Sequence, residues 1–115
     1  MRKPALFIAA LLASLPFECA NALTGTQLYE LCAGNSGSTG NTACLAYARG
    51  FSEGFLLGTA FTPNIYCAPD DGVSAEQARL IIQKYLRDHP EELHKEALYL
   101  AGNAMMAAFR CKKNK

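Results

Sequence analysis

Apolar residues recur at helical spacing in four segments of the chain, and no segment shows convincing strand alternation. The first segment begins at Thr24, which has capping-box spacing to Gln27, and it ends at Gly34. The second runs from about Thr42 to Phe61. A loop rich in Gly, Ser and Asn separates these two predicted helices.

The third and fourth predicted helices also have recognisable start signals. Ser74 precedes the third as its N-cap, with Gln77 at the capping-box position, and Pro90 is the first residue of the fourth. Because only Asp88 and His89 separate the two, we expect them to be antiparallel neighbours. The predicted buried stripe of the fourth helix is Leu93, Ala97, Leu100, Ala101, Ala104, Met105 and Ala108. The fold class predicted is all-α, a compact bundle of about four helices.

A row of small residues lies on one face of the second helix: Ala46, Gly50, Gly54 and Gly58. Each interior glycine costs about 1 kcal/mol relative to alanine, so the row needs compensation elsewhere. We favour the interpretation that a neighbouring helix of the same core approaches closely there. The alternative is a smooth groove that receives a partner.

The N-terminal stretch has the features of a cleaved signal peptide. Arg2 and Lys3 precede an apolar run at 5–15, and an A-x-A cleavage site occupies 20–22. The run is too short to span a bilayer, which takes about 20 residues. We therefore expect cleavage after Ala22, export to the periplasm, and a single helical domain at 23–115.

Cleavage would remove Cys19 and leave four cysteines in a short exported chain, which predicts two disulfides and no metal site. Four cysteines allow three pairings. The antiparallel arrangement of the last two helices places Cys111 near Cys67. We therefore prefer the Cys67–Cys111 pair, which leaves Cys32 with Cys44.

Charge and motifs exclude several classes of function. The domain left after cleavage has equal numbers of basic and acidic residues, which argues against nucleic acid or a membrane surface as partner. The one basic cluster is the terminal Arg110, Lys112, Lys113 and Lys115, typical of a solvated tail. His89 and His94 are poorly spaced as metal ligands, and the sequence has no phosphate-cradling Gly loop and no H-E-x-x-H motif. It also places no serine, free thiol or carboxylate as a catalytic partner of His89. We therefore predict no metal, no cofactor and no catalytic residues. Tyr47, Phe51 and Tyr85 are predicted to be core residues.

The loop at 61–71 is the candidate partner-binding segment. Phe61, Ile65 and Tyr66 are apolar or aromatic groups near a cysteine, and such groups on a rigid loop make good interface anchors. They could equally fold inward over the second helix, and the sequence leaves both interpretations open. Asp70 and Asp71 have the composition of a turn, with contact to a basic partner as the alternative.

The order and spacing of several short motifs resemble the Rap/Tai immunity family. The matching segments are Tyr29-Glu30-Leu31-Cys32, Cys44 with Tyr47-Ala48-Arg49-Gly50-Phe51-Ser52-Glu53-Gly54, Cys67-Ala68-Pro69 with Gly72-Val73-Ser74, Tyr85-Leu86 with His89-Pro90-Glu91-Glu92-Leu93-His94, and Ala108-Phe109-Arg110-Cys111. The resemblance implies a periplasmic protein that neutralises a peptidoglycan amidase of type VI secretion by occluding its active site. It also implies a possible homodimer, through the glycine row or the loop at 61–71. The alternative function is a housekeeping or stress-related periplasmic protein with a structural or small-ligand role.

Overall fold

A computed structural model of the protein describes residues 22–112. Its helices are α1 (Gly25–Cys32), α2 (Thr39–Thr59), α3 (Ala75–Asp88) and α4 (Ala97–Ala108), with a 3₁₀ turn at Pro90–Glu92. These residues form no strand, and their one β-type contact is an isolated bridge between Thr24 and Glu96. The predicted all-α bundle of four helices is confirmed.

The predicted signal peptide with Cys19, and the end of the basic tail at Lys113 and Lys115, lie outside the described residues. Cleavage after Ala22 therefore stays a prediction. Between residues 22 and 112, no helix has the length and hydropathy needed to cross a membrane.

Each of the four helices packs against the other three, and the core lies between them. The buried apolar residues are Leu28, Cys32, Cys44, Ala48, Ala78, Ile82, Leu86, Ala97, Leu100, Ala101, Ala104 and Met105. Tyr47, Phe51 and Tyr85 are partly buried against them, as predicted. Ala108, predicted to be buried, is exposed because it lies in the last turn of α4.

The fourth helix begins at Ala97 and not at Pro90, because the preceding segment binds the start of α1. The amide of Gly25 donates to the carbonyl of Lys95 at 2.8 Å, and the amide of Thr26 donates to the carbonyl of Leu93 at 2.9 Å. These bonds satisfy amides that a helix N-terminus otherwise leaves without partners. The 3₁₀ turn and this paired segment replace the first two turns of the predicted helix.

Helix α2 begins three residues earlier than predicted. Ser38, which the composition had assigned to the loop, is its N-cap and accepts a hydrogen bond from the amide of Asn41 at 3.1 Å. At the other end the helix stops at Thr59, so Phe61 lies just beyond it. The predicted caps Thr24 and Ser74 are both confirmed.

The two disulfides have the preferred pairing. Cys32–Cys44 joins the end of α1 to α2, and Cys67–Cys111 joins the loop before α3 to the segment after α4. The first bond lies in the core, whereas the second fixes the loop that contains the candidate partner-binding residues.

Candidate functional site

The loop between α2 and α3, residues 60–74, is held against the end of α4 at its midpoint. Besides the disulfide to Cys111, the amide of Cys67 donates to the carbonyl of Phe109 at 3.0 Å. These contacts fix the residues just before Cys67 relative to the bundle. We call residues 60–72 the recognition loop.

Tyr66 folds inward, which is one of the two interpretations that the sequence left open. Its ring stands edge-on to the ring of Phe55, with centroids 5.0 Å apart, and edge-on to the ring of Phe109 at 5.9 Å. Burial raises the pKa of the Tyr66 hydroxyl above its usual value. Tyr66 therefore belongs to the edge of the core and anchors the loop.

Phe61 and Ile65 face solvent, which is the other interpretation. The side chain of Phe61 is 84 % exposed and that of Ile65 is 43 % exposed. Leu56 and Leu57, at the end of α2, are also exposed large apolar residues. We call these four side chains the apolar face. The sequence from Gly54 to Pro69 contains no charged residue, so this face has no ionisable group of its own.

Asp70 and Asp71 are exposed and lie in a tight turn. The amide of Gly72 donates to the carbonyl of Pro69 at 2.9 Å, and Gly72 has a positive φ of 78° that glycine adopts without strain. This geometry supports the interpretation that Asp70 and Asp71 form a turn. The two carboxylates are accessible to a basic group on a partner.

The glycine row does not pack inside the bundle, and the favoured interpretation was wrong. A Cβ atom added at Gly50, Gly54 or Gly58 would meet no atom of the described residues within 4 Å, apart from the nearby backbone of its own helix. The buried residues of α2 are Cys44, Ala48 and Ser52, which lie on a different face. The glycines instead line an open groove of about 510 Å³.

Leu98 completes this groove, and sequence analysis missed it. It lies on α4, is 63 % exposed, and faces the groove together with Phe51, Phe55 and Thr59 of α2. The Thr59 hydroxyl donates to the carbonyl of Phe55 at 2.8 Å, so its proton is not free for a partner. The signal in the sequence is that Leu98 falls outside the buried stripe of α4 although it is a large apolar residue.

A second depression of about 730 Å³ lies between α3 and α4 and has a mixed lining. Ile81, Ala104, Met106, Ala107 and Ala108 supply its apolar part, and its polar part consists of Lys84, Tyr85, Asp88, His89, Asn103 and Arg110. Lys84 is paired with Asp88 at 2.6 Å, which lowers the pKa of that carboxyl. Burial, and then the Glu92 carboxylate, raise the pKa of Tyr85.

His89 ends α3 and its ring stacks on Tyr85, with centroids 4.0 Å apart. Its Nδ1 atom lies 2.8 Å from the Tyr85 carbonyl oxygen, so the ring caps the last turn of α3. Its ligand atoms lie within 4.8 Å of those of Glu91 and Glu92. The Glu92 carboxylate, however, already accepts hydrogen bonds from Lys95 at 2.7 Å and from Tyr85 at 2.9 Å. These bonds compete with any cation for its lone pairs.

The family model of the Rap1a immunity proteins matches residues 24–111, which is nearly the whole described domain. The chain belongs to this family. Comparisons with curated proteins and with solved structures found no match. Rap1a membership confirms the resemblance seen in the sequence and indicates an immunity role, in which the chain binds a protein effector.

Proposed function

We propose that the protein is a periplasmic immunity protein that binds a peptidoglycan amidase of type VI secretion and occludes its active site. The observation that carries this proposal is the apolar face at the end of α2 and in the recognition loop. Family membership supports an effector as the partner. The amidase class and the periplasmic location rest on the resemblance and on the predicted signal peptide.

The apolar face offers large, exposed side chains that a partner can bury. Burial of one large apolar side chain contributes about 1.5–3 kcal/mol, and a few such residues dominate most protein interfaces. Phe61 is 84 % exposed, so nearly all of its surface is available to a partner. The bond between Cys67 and Cys111 and the packing of Tyr66 reduce the entropy that the loop would lose on binding.

A binding assay against candidate amidases from the same genome tests this function. The oxidised protein is expected to capture one amidase and to inhibit its cleavage of peptidoglycan. The F61A/I65A variant should weaken capture at least about tenfold, since each truncated side chain of an interface centre costs 1 kcal/mol or more. Its circular-dichroism spectrum should match that of the unmodified protein.

Leu80→Ala is the matched control, because Leu80 is 51 % exposed but lies on α3, away from the recognition loop. It should leave capture unchanged. Equal affinity of F61A/I65A and the unmodified protein would remove the apolar face from the proposal. If folded, oxidised protein inhibits none of the candidate amidases, the proposal that the effector is an amidase is wrong.

The proposal includes a homodimer, with the groove lined by Gly50, Gly54 and Gly58 as its interface. Glycines without a covering neighbour allow a second helix to approach closely, and a two-fold interface uses the same patch on both copies. Gly54→Leu should convert the dimer to a monomer in light scattering, whereas Ala107→Leu on α4 should not. A monomeric unmodified protein, or a dimer that tolerates Gly54→Leu, would exclude this interface.

The alternative, a small-ligand role in the periplasm, is favoured by the depression between α3 and α4. Its volume of about 730 Å³ and its polar rim are suited to a small molecule. Ala107→Trp would fill part of this space without altering the core. A ligand that co-purifies with the unmodified protein and is absent from this variant would support the alternative.

A further inference from the structure

The two disulfides differ in their accessibility to solvent. Cys32 and Cys44 are each only 1 % exposed and belong to the core. Cys67 is exposed and Cys111 is half-buried. Thiol–disulfide exchange requires a thiolate to reach one sulfur of the bond, so access governs which bond reacts. The bond between Cys67 and Cys111 is therefore the more accessible of the two, whereas the bond between Cys32 and Cys44 is covered.

Few other contacts hold the recognition loop near Cys67. They are the hydrogen bond from the Cys67 amide to the Phe109 carbonyl and the contacts of the Tyr66 ring with Phe55 and Phe109. The buried core residues all lie in the helices, and none lies in the recognition loop. Loss of the bond between Cys67 and Cys111 would therefore leave the core packing intact.

We propose that Cys67 is a site of thiol–disulfide exchange with dithiols, and that opening of the bond to Cys111 releases the recognition loop while the helical bundle persists. A thiolate of the dithiol attacks the Cys67 sulfur, the bond to Cys111 breaks, and Cys111 leaves as a thiolate that takes up a proton. The second thiol of the dithiol then resolves the mixed disulfide. The protein gains two electrons and two protons, and the dithiol becomes a disulfide.

The consequence for binding rests on the proposed function, because the released segment contains Phe61 and Ile65. A loop that is no longer fixed must be ordered again on binding, which weakens the complex. Reduction would thus lower the affinity for an effector without unfolding the protein. The exchange reaction itself needs no effector and is tested separately.

The first experiment treats the oxidised chain with dithiothreitol under native conditions, stops the reaction with acid and alkylates free thiols with N-ethylmaleimide. Peptide mapping follows each cysteine individually and keeps Cys19 apart from the others. Cys67 and Cys111 should become alkylated at least about tenfold faster than Cys32 and Cys44, since the buried pair reacts only after a larger opening. Equal rates, or faster labelling of the buried pair, would overturn the proposal.

The second experiment measures hydrogen exchange before and after selective reduction. Amides at 60–72 should exchange at least about tenfold faster in the reduced protein, while those of α1 and α3 keep their protection. Unchanged exchange in the loop would exclude its release, and loss of protection in the helices would exclude a persistent bundle. The C67A/C111A variant should reproduce the exchange pattern of the reduced protein, and a variant without helical structure would contradict the proposal.

The proposed function and this inference fail in different ways. If oxidised protein inhibits no amidase but Cys67 is alkylated before Cys32 and Cys44, the exchange site is supported and the amidase assignment is contradicted. If oxidised protein inhibits an amidase and the selectively reduced protein inhibits it equally well, the proposed function stands and the effect of loop release falls.

Discussion

The rings of Phe55 and Tyr66 meet edge to face with 5.0 Å between their centroids, and this contact ties the recognition loop to α2. Phe61 comes from the same loop but is 84 % exposed. One aromatic side chain thus anchors the loop while another is presented to solvent. Stability and the proposed recognition of a partner therefore depend on different residues of one short segment, and substitutions can separate the two properties.

Tyr66→Ala should lower the free energy of unfolding by about 1–3 kcal/mol, because it removes a half-buried ring and leaves space between Phe55 and Phe109. Phe61→Ala should change it by less than about 0.5 kcal/mol, since an exposed side chain loses little packing. Urea denaturation followed by circular dichroism measures both. Similar losses for the two variants would contradict the different placement of these rings.

Gly54→Ala should stabilise the protein by about 1 kcal/mol, because the added methyl group meets open space within a helix. Gly25→Ala should destabilise it by at least about 1 kcal/mol, as its Cβ would lie 2.9 Å from the Leu93 carbonyl oxygen and would clash with Leu100. Thermal unfolding of the two variants beside the unmodified protein gives the comparison. A destabilised Gly54→Ala variant would show that a neighbour covers the groove after all.

Ser38→Ala should cost about 1 kcal/mol of stability, because it removes the acceptor for the amide of Asn41 at the start of α2. Ser36→Ala is the matched control, since Ser36 is an exposed residue of the same loop without this bond. Chemical denaturation at neutral pH measures both changes. An equal cost for Ser36→Ala would mean that the loop as a whole, and not the cap, determines the result.

Glu92 should contribute to the pH dependence of stability. Hydrogen bonds from Lys95, and then from Tyr85, lower the pKa of its carboxyl below its ordinary value. A carboxyl with a lowered pKa in the folded state stabilises the protein above its unfolded pKa, about 4.3, and that contribution is lost as the pH falls through the folded value. The stability difference between the unmodified protein and Glu92→Gln should therefore be largest near neutrality and shrink in acid.

Urea midpoints at a series of pH values measure this difference, and Glu91→Gln serves as the control because Glu91 is an exposed neighbour on the same 3₁₀ turn. A difference for Glu92→Gln that stays constant from neutral pH into acid would contradict the role of the carboxylate. So would an equal dependence for Glu91→Gln.

The helical class and the caps at Thr24 and Ser74 could be predicted from the sequence alone, and the preferred cysteine pairing is the one that the structure shows. Capping depends on residues three positions apart, so Thr24 with Gln27 and Ser74 with Gln77 could be recognised without tertiary structure. The same is true of the apolar stripe of α3, which repeats with the helical period and consists of Ala78, Ile81, Ile82 and Tyr85. The Cys67–Cys111 pair followed from the antiparallel order of α3 and α4, although the connection between them is longer than predicted.

Which faces of the helices are covered by other segments depends on the tertiary structure. Local pattern shows that Gly50, Gly54 and Gly58 share a face, but only the placement of α4 shows that nothing packs there. The start of α4 could not be predicted from the sequence either. The carbonyls of residues 93 and 95 accept hydrogen bonds from amides at the start of α1, which is far away in sequence. Whether Phe61 or Tyr66 turns inward depends on the positions of Phe55 and Phe109, which both contact the ring of Tyr66. Such contacts between distant segments leave no periodic signal in a single sequence.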